Sequence, residues 1–242
     1  MIKIGISGCC GKMGTRIHRL ALTDKDFDVL LLLEQKQHAS LGMSFEGAVV
    51  TDDIDQIKSC DCLVEFTSPQ ATMEHLEICR KFSKAIVIGT TGLSGQQKEA
   101  ILKASAEIPI VLSSNMSIGV NILFNLVREA AERLPKDYKI NITEAHHTHK
   151  KDAPSGTAKQ IAEIIKEIRK KDVNDIKSIR EGEIVGDHEV CFDGNDDVIK
   201  LSHSAKTRDI FAQGALSAAK FIVTKKNGLF DMQAVLENVI NK

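Results

Sequence analysis

The chain has 242 residues, of which 43% are hydrophobic and 27% charged, so it carries enough apolar side chains for one large core or two small ones. Its 32 basic and 33 acidic residues give a formal net charge of -1, which argues against nucleic acid or an anionic membrane surface as a partner. The N-terminus lacks a secretory-signal pattern, and no apolar run approaches the ~20 residues that span a bilayer. We therefore expect a cytoplasmic protein.

Short apolar runs and helical patterns alternate through the first half of the chain. The predicted strands cover residues 2–6, 27–34, 61–66, 85–88 and 108–112. A helical pattern follows the first strand, and further helices are predicted over 69–82 and 95–107. Strands that are apolar on both faces and alternate with helices indicate a parallel sheet covered on both sides. The first half is therefore predicted to be a doubly wound, Rossmann-like α/β domain.

The pattern changes near residue 115. A long apolar-rich helix is predicted over 118–134, and the alternating run at 139–143 predicts a half-exposed strand. A helix over 155–169 and strands over 184–192 and 198–203 follow, the two strands being joined by a turn-rich segment at 193–197. These elements predict an α+β region with an open mixed sheet. Two last helices are predicted over 210–223 and 232–240.

A glycine-rich turn lies between the first strand and the first helix. Its spacing is G-x-x-G-x-x-G, and Glu34 follows its last glycine by 20 residues at the end of the second strand. Bare backbone and a helix N-terminus suit a pyrophosphate, and an acid at that distance suits the adenosine ribose. An ordinary strand-to-helix turn is the alternative. The turn residues predicted to contact a dinucleotide are Gly8, Cys9, Cys10, Gly11, Lys12, Met13 and Gly14.

Two further loops follow predicted strands and carry small or hydroxyl-bearing residues. They are Phe66-Thr67-Ser68 and Gly89-Thr90-Thr91-Gly92. Ligands of this fold bind beyond the carboxyl ends of the strands, so these loops suit the nicotinamide ribose or carboxamide. Taken separately, each loop is equally well explained as a plain turn between a strand and a helix.

A second motif runs from Glu144 to Ala158 and contains three histidines and two lysines within six positions. A metal site would use the histidines, but they follow one another too closely to converge on one ion. A solvated basic loop is a second interpretation. The third is an anion site with an acid/base pair, in which His146 titrates near neutrality and Lys150 holds an anion. The segment Ala-Pro-Ser-Gly-Thr-Ala then opens a helix whose N–H groups can bind a carboxylate.

The run EAHHTHKKDAPSGTA resembles the substrate motif of the 4-hydroxy-tetrahydrodipicolinate (dihydrodipicolinate) reductase family. Other segments are similar to that family in the same order: GCCGKMG, FTSP, GTTG, SSNMSIGVN, REGEIVGDH, HSAKTRDIFAQGAL and GLFDM. The resemblance therefore extends from about residue 5 to residue 232. It implies an NADH- or NADPH-dependent reductase of lysine and diaminopimelate biosynthesis that delivers a hydride to a small cyclic dicarboxylate.

The resemblance also implies an organisation and a set of site residues. A dinucleotide-binding domain would cover 1–117 and 209–242, and a substrate-binding domain over 118–208 would help to build a homotetramer and close on the substrate. His146 and Lys150 are the implied catalytic residues. The implied substrate-binding residues are His147, Lys150, Ser155, Gly156 and Thr157. Besides the glycine-rich turn, the cofactor would contact Glu34, Gln35, Phe66, Thr67, Gly89, Thr90, Thr91, Ser114, Asn115 and Met116.

This sequence also departs from the family pattern. It is shorter between Glu34 and Asp61 and near residue 170, and Gln35 stands where an arginine often follows the ribose-binding acid. Cys9 and Cys10 occupy positions where small residues are more usual. Two rival functions are another two-domain nicotinamide dehydrogenase, such as a homoserine or semialdehyde dehydrogenase, and a non-catalytic nucleotide sensor. A semialdehyde dehydrogenase would need a nucleophilic cysteine in its second domain.

The six cysteines match neither a disulfide framework nor a pair of C-x-x-C zinc motifs. We therefore expect reduced thiols and no metal ion. Cys60 and Cys62 could be interpreted as a metal pair, but alternation makes Cys62 a small apolar residue of a strand.

Overall fold

A computed structural model describes the backbone of residues 1–240 and the side chains of residues 1–238. The chain forms two compact units, the first from Met1–Ser117 and Phe211–Lys242 and the second from Ile118–Ile210. The predicted domains placed these boundaries at 117 and 209. No helix within residues 1–240 is both long enough and apolar enough to cross a membrane.

The secondary-structure elements follow one another along the chain in the order given by their numbers. The strands are β1 (Ile2–Ser7), β2 (Phe27–Leu33), β3 (Ser44–Phe45), β4 (Ala48–Thr51), β5 (Cys62–Glu65), β6 (Ala85–Ile88), β7 (Pro109–Leu112), β8 (Lys139–His146), β9 (Asp175–Arg180), β10 (Asp187–Asp193), β11 (Val198–Ser204) and β12 (Gly228–Phe230). The helices are α1 (Gly14–Thr23), α2 (Pro69–Lys81), α3 (Gly95–Ala104), α4 (Ile118–Arg133), α5 (Gly156–Arg169), α6 (Asp209–Ile222) and α7 (Met232–Ile240), with a 3₁₀ helix at Ile54–Ser59.

The first unit contains an eight-stranded sheet in the order β12-β7-β6-β5-β1-β2-β4-β3. Its strand pairs are parallel except β3–β4, which are antiparallel. Central strands β5 and β6 are buried along their whole length, as a sheet covered on both faces requires. The prediction of a Rossmann-like sheet completed by the C-terminal segment is confirmed, since β12 joins the sheet beside β7.

Strand β1 lies at the point where the strand order reverses, with β2 on one side and β5 on the other. In open α/β sheets, ligands bind at such a switch point, beyond the carboxyl ends of the strands. The residues that follow β1, β2, β5 and β6 are therefore the candidate ligand-binding residues of this unit. They include the glycine-rich turn, Glu34 and both hydroxyl-bearing loops.

The second unit contains a four-stranded mixed sheet in the order β11-β10-β8-β9. Strands β8 and β9 are parallel, whereas β10 is antiparallel to both β8 and β11. Burial alternates along β8, so one face of the sheet packs against the apolar sides of α4 and α5. The predicted α+β region with an open mixed sheet is confirmed.

Some elements differ from the sequence prediction. The strand predicted from residue 184 begins at Asp187, because Ile184 lies in a loop where its carbonyl accepts a hydrogen bond from His147 N–H at 2.7 Å. Strand β9 was missed because none of its residues is fully buried and its apolar side chains are few. The short strands β3, β4 and β12 were also missed, since two to four residues carry too little periodicity.

Candidate active site

The glycine-rich turn has the backbone geometry of a phosphate-binding turn. Gly8 has a φ of +72°, and a Cβ atom on it would lie 2.7 Å from the Phe66 carbonyl oxygen. A Cβ atom on Gly14 would lie 2.0 Å from the Gly8 carbonyl oxygen, so only glycine lets α1 begin this close to β1. At the start of α1, Met13 makes no side-chain capping hydrogen bond to the described residues. The positive end of α1 therefore faces the turn.

Glu34 lies beside this turn, immediately after β2. Its Oε2 accepts a hydrogen bond from Cys10 N–H at 3.1 Å, and its Oε1 accepts one from Gln35 N–H at 2.9 Å. Two backbone donors thus fix the carboxylate next to the place proposed for phosphates. The neighbouring Lys12 and Lys36 side chains are exposed, as is Gln35.

The two hydroxyl-bearing loops are joined by a buried polar network that the sequence did not predict. Glu65, fully buried at the end of β5, lies 2.7 Å from His75 Nδ1 and also accepts hydrogen bonds from the Thr67 and Thr72 hydroxyls. Thr72 Oγ1 and Thr90 Oγ1 lie 2.9 Å apart, and Thr67 N–H donates to Thr90 Oγ1 at 3.2 Å. The network therefore fixes one loop against the other.

Further contacts shape the same region of the first unit. A Cβ atom on Gly89 would lie 2.2 Å from the Phe66 ring, so the absence of a side chain lets that ring cover the loop backbone. Met116 is buried, and its carbonyl oxygen would lie only 1.7 Å from a Cβ atom on Gly214 in α6. Asn115 Oδ1 accepts from Ser117 N–H at 2.9 Å, while Ser114 is exposed.

In the second unit, His146 ends β8 and is paired with Glu144, two residues earlier on the same face of the strand. His146 Nδ1 lies 2.5 Å from Glu144 Oε2. The carboxylate also accepts two hydrogen bonds from Arg180, at 2.8 Å and 3.0 Å. Arg180 ends β9, which is parallel to β8, so both strands deliver these side chains to one edge of the sheet. Glu144 is fully buried, and His146 is 8% exposed.

The charges of this cluster follow from its burial and its hydrogen bonds. Burial opposes ionisation of Glu144, but hydrogen bonds from Arg180, Ser178 and His146 outweigh it and lower the pKa of Glu144 to about 2. Burial lowers the pKa of His146 more than the Glu144 carboxylate raises it. Glu144 is thus an acceptor and His146 is neutral near pH 7, so Nδ1–H donates to Glu144 and Nε2 presents a lone pair.

The loop after β8 brings further polar side chains to His146. Lys150 Nζ lies 2.9 Å from Asp152 Oδ1, so the lysine and this acid do form a pair. Arg180 Nη2 donates to the Asp152 carbonyl oxygen at 2.6 Å and thereby fixes the loop against β9. Arg208 Nη2 lies 3.2 Å from His147 Nε2, which brings a second cation to this loop.

Helix α5 begins at the end of this loop. Ser155 is its N-cap, and the Ser155 hydroxyl accepts from Ala158 N–H at 3.2 Å. The same hydroxyl lies 3.1 Å from His188 Nε2, and burial lowers the pKa of His188 to about 4, so that ring is neutral. Ser155 is buried, whereas Gly156 is exposed and a Cβ atom there would meet no described atom within 4 Å.

The structure thus brings several predicted residues together and separates others. The loop between β8 and α5 carries Lys150 and Ser155 and has His146 and Gly156 at its two ends. His149 belongs to the same loop but is exposed and takes no part in the cluster. The three histidines do not form a metal-binding group; among the residues described, the only such group is Cys9, Cys10 and Glu34. The sequence analysis did not assign site roles to Glu65, His75, Glu144, Arg180, His188 and Arg208. The alternation of β8 could have revealed Glu144, because it places residues 144 and 146 on one face.

These features define a class of protein. A Rossmann-like unit with a glycine-rich turn and an acid after β2, together with a unit carrying a buried acid/base cluster, is typical of nicotinamide-dependent oxidoreductases.

Sequence comparisons identify the family. Residues 2–116 match the family described as "Dihydrodipicolinate reductase, N-terminus", and residues 119–236 match "Dihydrodipicolinate reductase, C-terminus". The chain therefore belongs to the dihydrodipicolinate reductase family, whose members use NADH or NADPH and act in lysine and diaminopimelate biosynthesis.

Relatives agree over nearly the whole chain. A 4-hydroxy-tetrahydrodipicolinate reductase of Nitrosomonas europaea is 39% identical over 97% of this chain and 98% of its own length. The reductase of Citrifermentans bemidjiense is 34% identical over 98% and 99%. A dipicolinate-bound dihydrodipicolinate reductase from Paenisporosarcina sp. TG-14 has the same fold, with a TM-score of 0.83 at 22% identity over 96% of this chain and 97% of its own. The activity of the chain is accordingly that of a 4-hydroxy-tetrahydrodipicolinate reductase.

Proposed function

We propose that the first unit holds NADH or NADPH and that the second unit holds the cyclic dicarboxylate against His146 and Lys150. The observation that carries this assignment is the cluster of Glu144, His146 and Arg180 beside the N-terminus of α5. It places a neutral imidazole, a lysine and the N-terminus of a helix around one loop. A dianionic substrate that must gain a proton needs these groups.

The first unit fits a dinucleotide at each position that the fold requires. Backbone at Gly8 and Gly11 would lie against the pyrophosphate, and the Glu34 carboxylate would accept hydrogen bonds from the adenosine ribose. Thr67 and Thr90, fixed by the network around Glu65, would line the nicotinamide half. The cofactor-binding segment would also include Ser114, Asn115 and Met116. When bound, the reduced nicotinamide supplies the hydride.

Two carboxylates on a small ring need several donors. We assign them to the Lys150 ammonium, to the Arg208 guanidinium that His147 positions, and to the N–H groups of Gly156 and Thr157 at the start of α5. Because the Ser155 hydroxyl already caps α5 and is hydrogen-bonded to His188, its proposed role is to shape the helix N-terminus rather than to bind the substrate directly.

We propose that His146 and Lys150 take part in the proton transfer to the substrate. The 4-hydroxy compound loses water to give a dihydropyridine dicarboxylate. Hydride addition at C4 of that ring moves an electron pair toward the ring nitrogen, and the carbon next to C4 must then gain a proton. Glu144 holds Nδ1–H, so Nε2 is the atom that takes up and delivers this proton. A bound dianion favours the imidazolium and raises the pKa of His146 toward neutrality. Lys150 stabilises the developing charge or resupplies the proton.

Neither rival function has a supporting observation. Cys191, the only cysteine of the second unit, lies in β10, where its position is that of a sheet residue rather than of an exposed nucleophile. A nucleotide sensor would have no use for the Glu144–His146–Arg180 cluster.

The decisive experiment is a cofactor-oxidation assay. The product of the dihydrodipicolinate synthase reaction should be turned over, homoserine and aspartate semialdehyde should not, and pyridine-2,6-dicarboxylate should compete with the substrate as a planar analogue. Folded protein that binds NADH but does not turn over this substrate would overturn the proposal.

We further propose that the protein is a homotetramer assembled through the sheet of the second unit. Strand β11 leaves one edge of that sheet without a neighbour among the residues described, and its side chains alternate between exposed and half-buried. The six free thiols fit the reducing cytoplasm. Sedimentation of the pure protein tests the tetramer.

A further inference from the structure

Two adjacent thiols and a carboxylate converge beside the glycine-rich turn. Cys9 Sγ and Cys10 Sγ are 3.8 Å apart. Their sulfur atoms and a Glu34 carboxylate oxygen all lie within 4.8 Å of one another. Cys9 is buried, whereas Cys10 and Glu34 are half-buried and can be reached from solvent. No other described group of three potential ligands is this compact.

The distance between the two sulfur atoms fits tetrahedral coordination of a metal ion. A zinc–sulfur distance of about 2.3 Å and a tetrahedral angle place two sulfur ligands about 3.8 Å apart. Glu34 retains acceptor capacity, because a carboxylate has about four acceptor sites and the Cys10 and Gln35 N–H groups occupy two. A pocket of about 450 Å³, lined by both cysteines and by His18, provides room beside the thiols for a fourth ligand.

We propose that Cys9, Cys10 and Glu34 form a binding site for a thiophilic divalent cation with a filled d shell, such as Zn²⁺ or Cd²⁺. Binding converts both thiols into thiolates, releases two protons to solvent and leaves the oxidation state of the metal unchanged. The carboxylate is the third ligand, and water completes the tetrahedron. Hard cations such as Mg²⁺ are excluded, because two of the three ligands are sulfur.

A cation bound at this site would inhibit the enzyme, an inference that rests on the proposed function. Glu34 is also the proposed acceptor of the adenosine ribose hydroxyls, and Cys9 and Cys10 belong to the phosphate-binding turn. A cation on these side chains and a dinucleotide on the same turn cannot both be accommodated. The ion therefore acts as an inhibitor that competes with NADH but not with the dicarboxylate.

Cadmium titration of the reduced, cofactor-free protein tests the site itself, because thiolate-to-cadmium charge transfer is visible in the ultraviolet. One Cd²⁺ per chain should produce this absorption. Cys10→Ser, at a half-buried position, should lower this absorption to at most the contribution of one thiolate and should weaken Cd²⁺ binding more than about a hundredfold, as expected for a lost ligand. Glu34→Gln should weaken binding while leaving both sulfur ligands in place. Cys191→Ser is the matched control and should bind Cd²⁺ like the unaltered chain.

The results of these titrations distinguish the metal site itself from its competition with NADH. Unchanged Cd²⁺ absorption in Cys10→Ser, or its loss in Cys191→Ser, would overturn the metal site. Adding NADH to the cadmium-loaded protein should reduce the absorption in proportion to cofactor occupancy. If the absorption belongs to Cys10 but NADH leaves it intact, the competition fails and Glu34 is not the ribose-binding residue. Circular dichroism of each variant confirms that it is folded.

Discussion

Among the residues that the structure describes are two buried carboxylate–histidine pairs, one in each unit, and they are built differently. Glu65 and His75 lie in the first unit, where the described partners of Glu65 are His75 and threonine hydroxyls. Glu144 and His146 lie in the second unit, where Arg180 also forms two hydrogen bonds to the carboxylate. The histidine of the first pair belongs to a helix interior, and that of the second ends a strand beside a polar loop.

This difference indicates two functions for the same chemical pair. The Glu65 network connects two loops through the hydroxyls of Thr67, Thr72 and Thr90. In the Glu144 pair, Arg180 neutralises the carboxylate while the imidazole keeps Nε2 available at the strand end. We therefore propose that the first pair orders the loops that bind the cofactor and that the second tunes an acid/base group.

Replacing each histidine by glutamine should produce the largest difference in kinetics between the two pairs. Glutamine retains an N–H donor toward the carboxylate but has no titratable nitrogen. We expect His146→Gln to lower kcat by about 10²–10⁴, the usual range for a general acid/base residue, with a smaller effect on KM. Steady-state cofactor oxidation measures both constants. Near-normal kcat in His146→Gln would make His146 a binding or structural residue.

His75→Gln is the matched variant in the first unit. Its effect should fall mainly on the KM for NADH, because the loops that carry Thr67 and Thr90 lose their alignment. A loss of kcat as large as that in His146→Gln would contradict the division between the two pairs.

Glu144→Gln should lower the free energy of unfolding, because it removes the ionised carboxylate that Arg180 and His146 stabilise. The pKa of Glu144 falls from an ordinary 4.5 to about 2, and each pKa unit corresponds to about 1.4 kcal/mol, so the ionised carboxylate contributes about 3 kcal/mol. Because the folded-state pKa is depressed, this contribution is present above about pH 4.5 and is lost as the pH falls toward 2. The variant should therefore be less stable at pH 7 and approach the unaltered chain in acid.

Urea unfolding followed by tyrosine fluorescence checks this expectation, because the single tyrosine, Tyr138, lies in the same unit. Glu129→Gln is a suitable control. Its carboxylate is exposed and pairs with Arg133, so the change should cost less than about 1 kcal/mol. Equal losses in both variants, or a loss in Glu144→Gln that persists unchanged at low pH, would refute the assigned role of the buried carboxylate.

A smaller effect is expected at the start of α5. A methyl group on Gly156 would meet no described atom within 4 Å, so Gly156→Ala should fold normally but obstruct a carboxylate that approaches the helix N–H groups. We expect the KM for the dicarboxylate to rise about tenfold, equivalent to about 1.4 kcal/mol, with the KM for NADH unchanged. Gly95→Ala is the control, since Gly95 also begins a helix after a capping serine and has equally open surroundings. Equal kinetics in the two variants would remove Gly156 from the substrate site.

The two pairs also show which features of the fold and of the site could be predicted from the sequence. The glycine-rich turn, the alternation of apolar strands with helices and the motif from Glu144 to Ala158 are local patterns, so the turn, the Rossmann-like sheet and a role for His146 could be predicted from them. The pairing of Glu144 with Arg180 joins residues 36 positions apart through β9, a polar strand with little periodicity. Likewise, Glu65 and His75 look like an ordinary strand end and an ordinary helix residue until tertiary packing buries them together.

The cofactor preference is the most finely balanced expectation. Backbone N–H groups of Cys10 and Gln35 fix the Glu34 carboxylate where it can accept hydrogen bonds from ribose hydroxyls, which favours NADH. A 2′-phosphate would meet that carboxylate, and Gln35 offers no charge to offset the repulsion. Lys12 and Lys36 are exposed and close in sequence, but an ammonium binds phosphate as a point charge without the fork of a guanidinium.

We therefore expect both cofactors to work, with kcat/KM about tenfold higher for NADH, a difference of about 1.4 kcal/mol. Paired kcat/KM measurements at low and high salt test this, because the contribution of the exposed lysines to NADPH binding should weaken as salt screens them. Gln35→Arg should narrow or reverse the preference by adding a bidentate phosphate ligand. A preference for NADPH at both salt concentrations in the unaltered chain would mean that Lys12 or Lys36 binds the phosphate well, and that Gln35 does not set the choice.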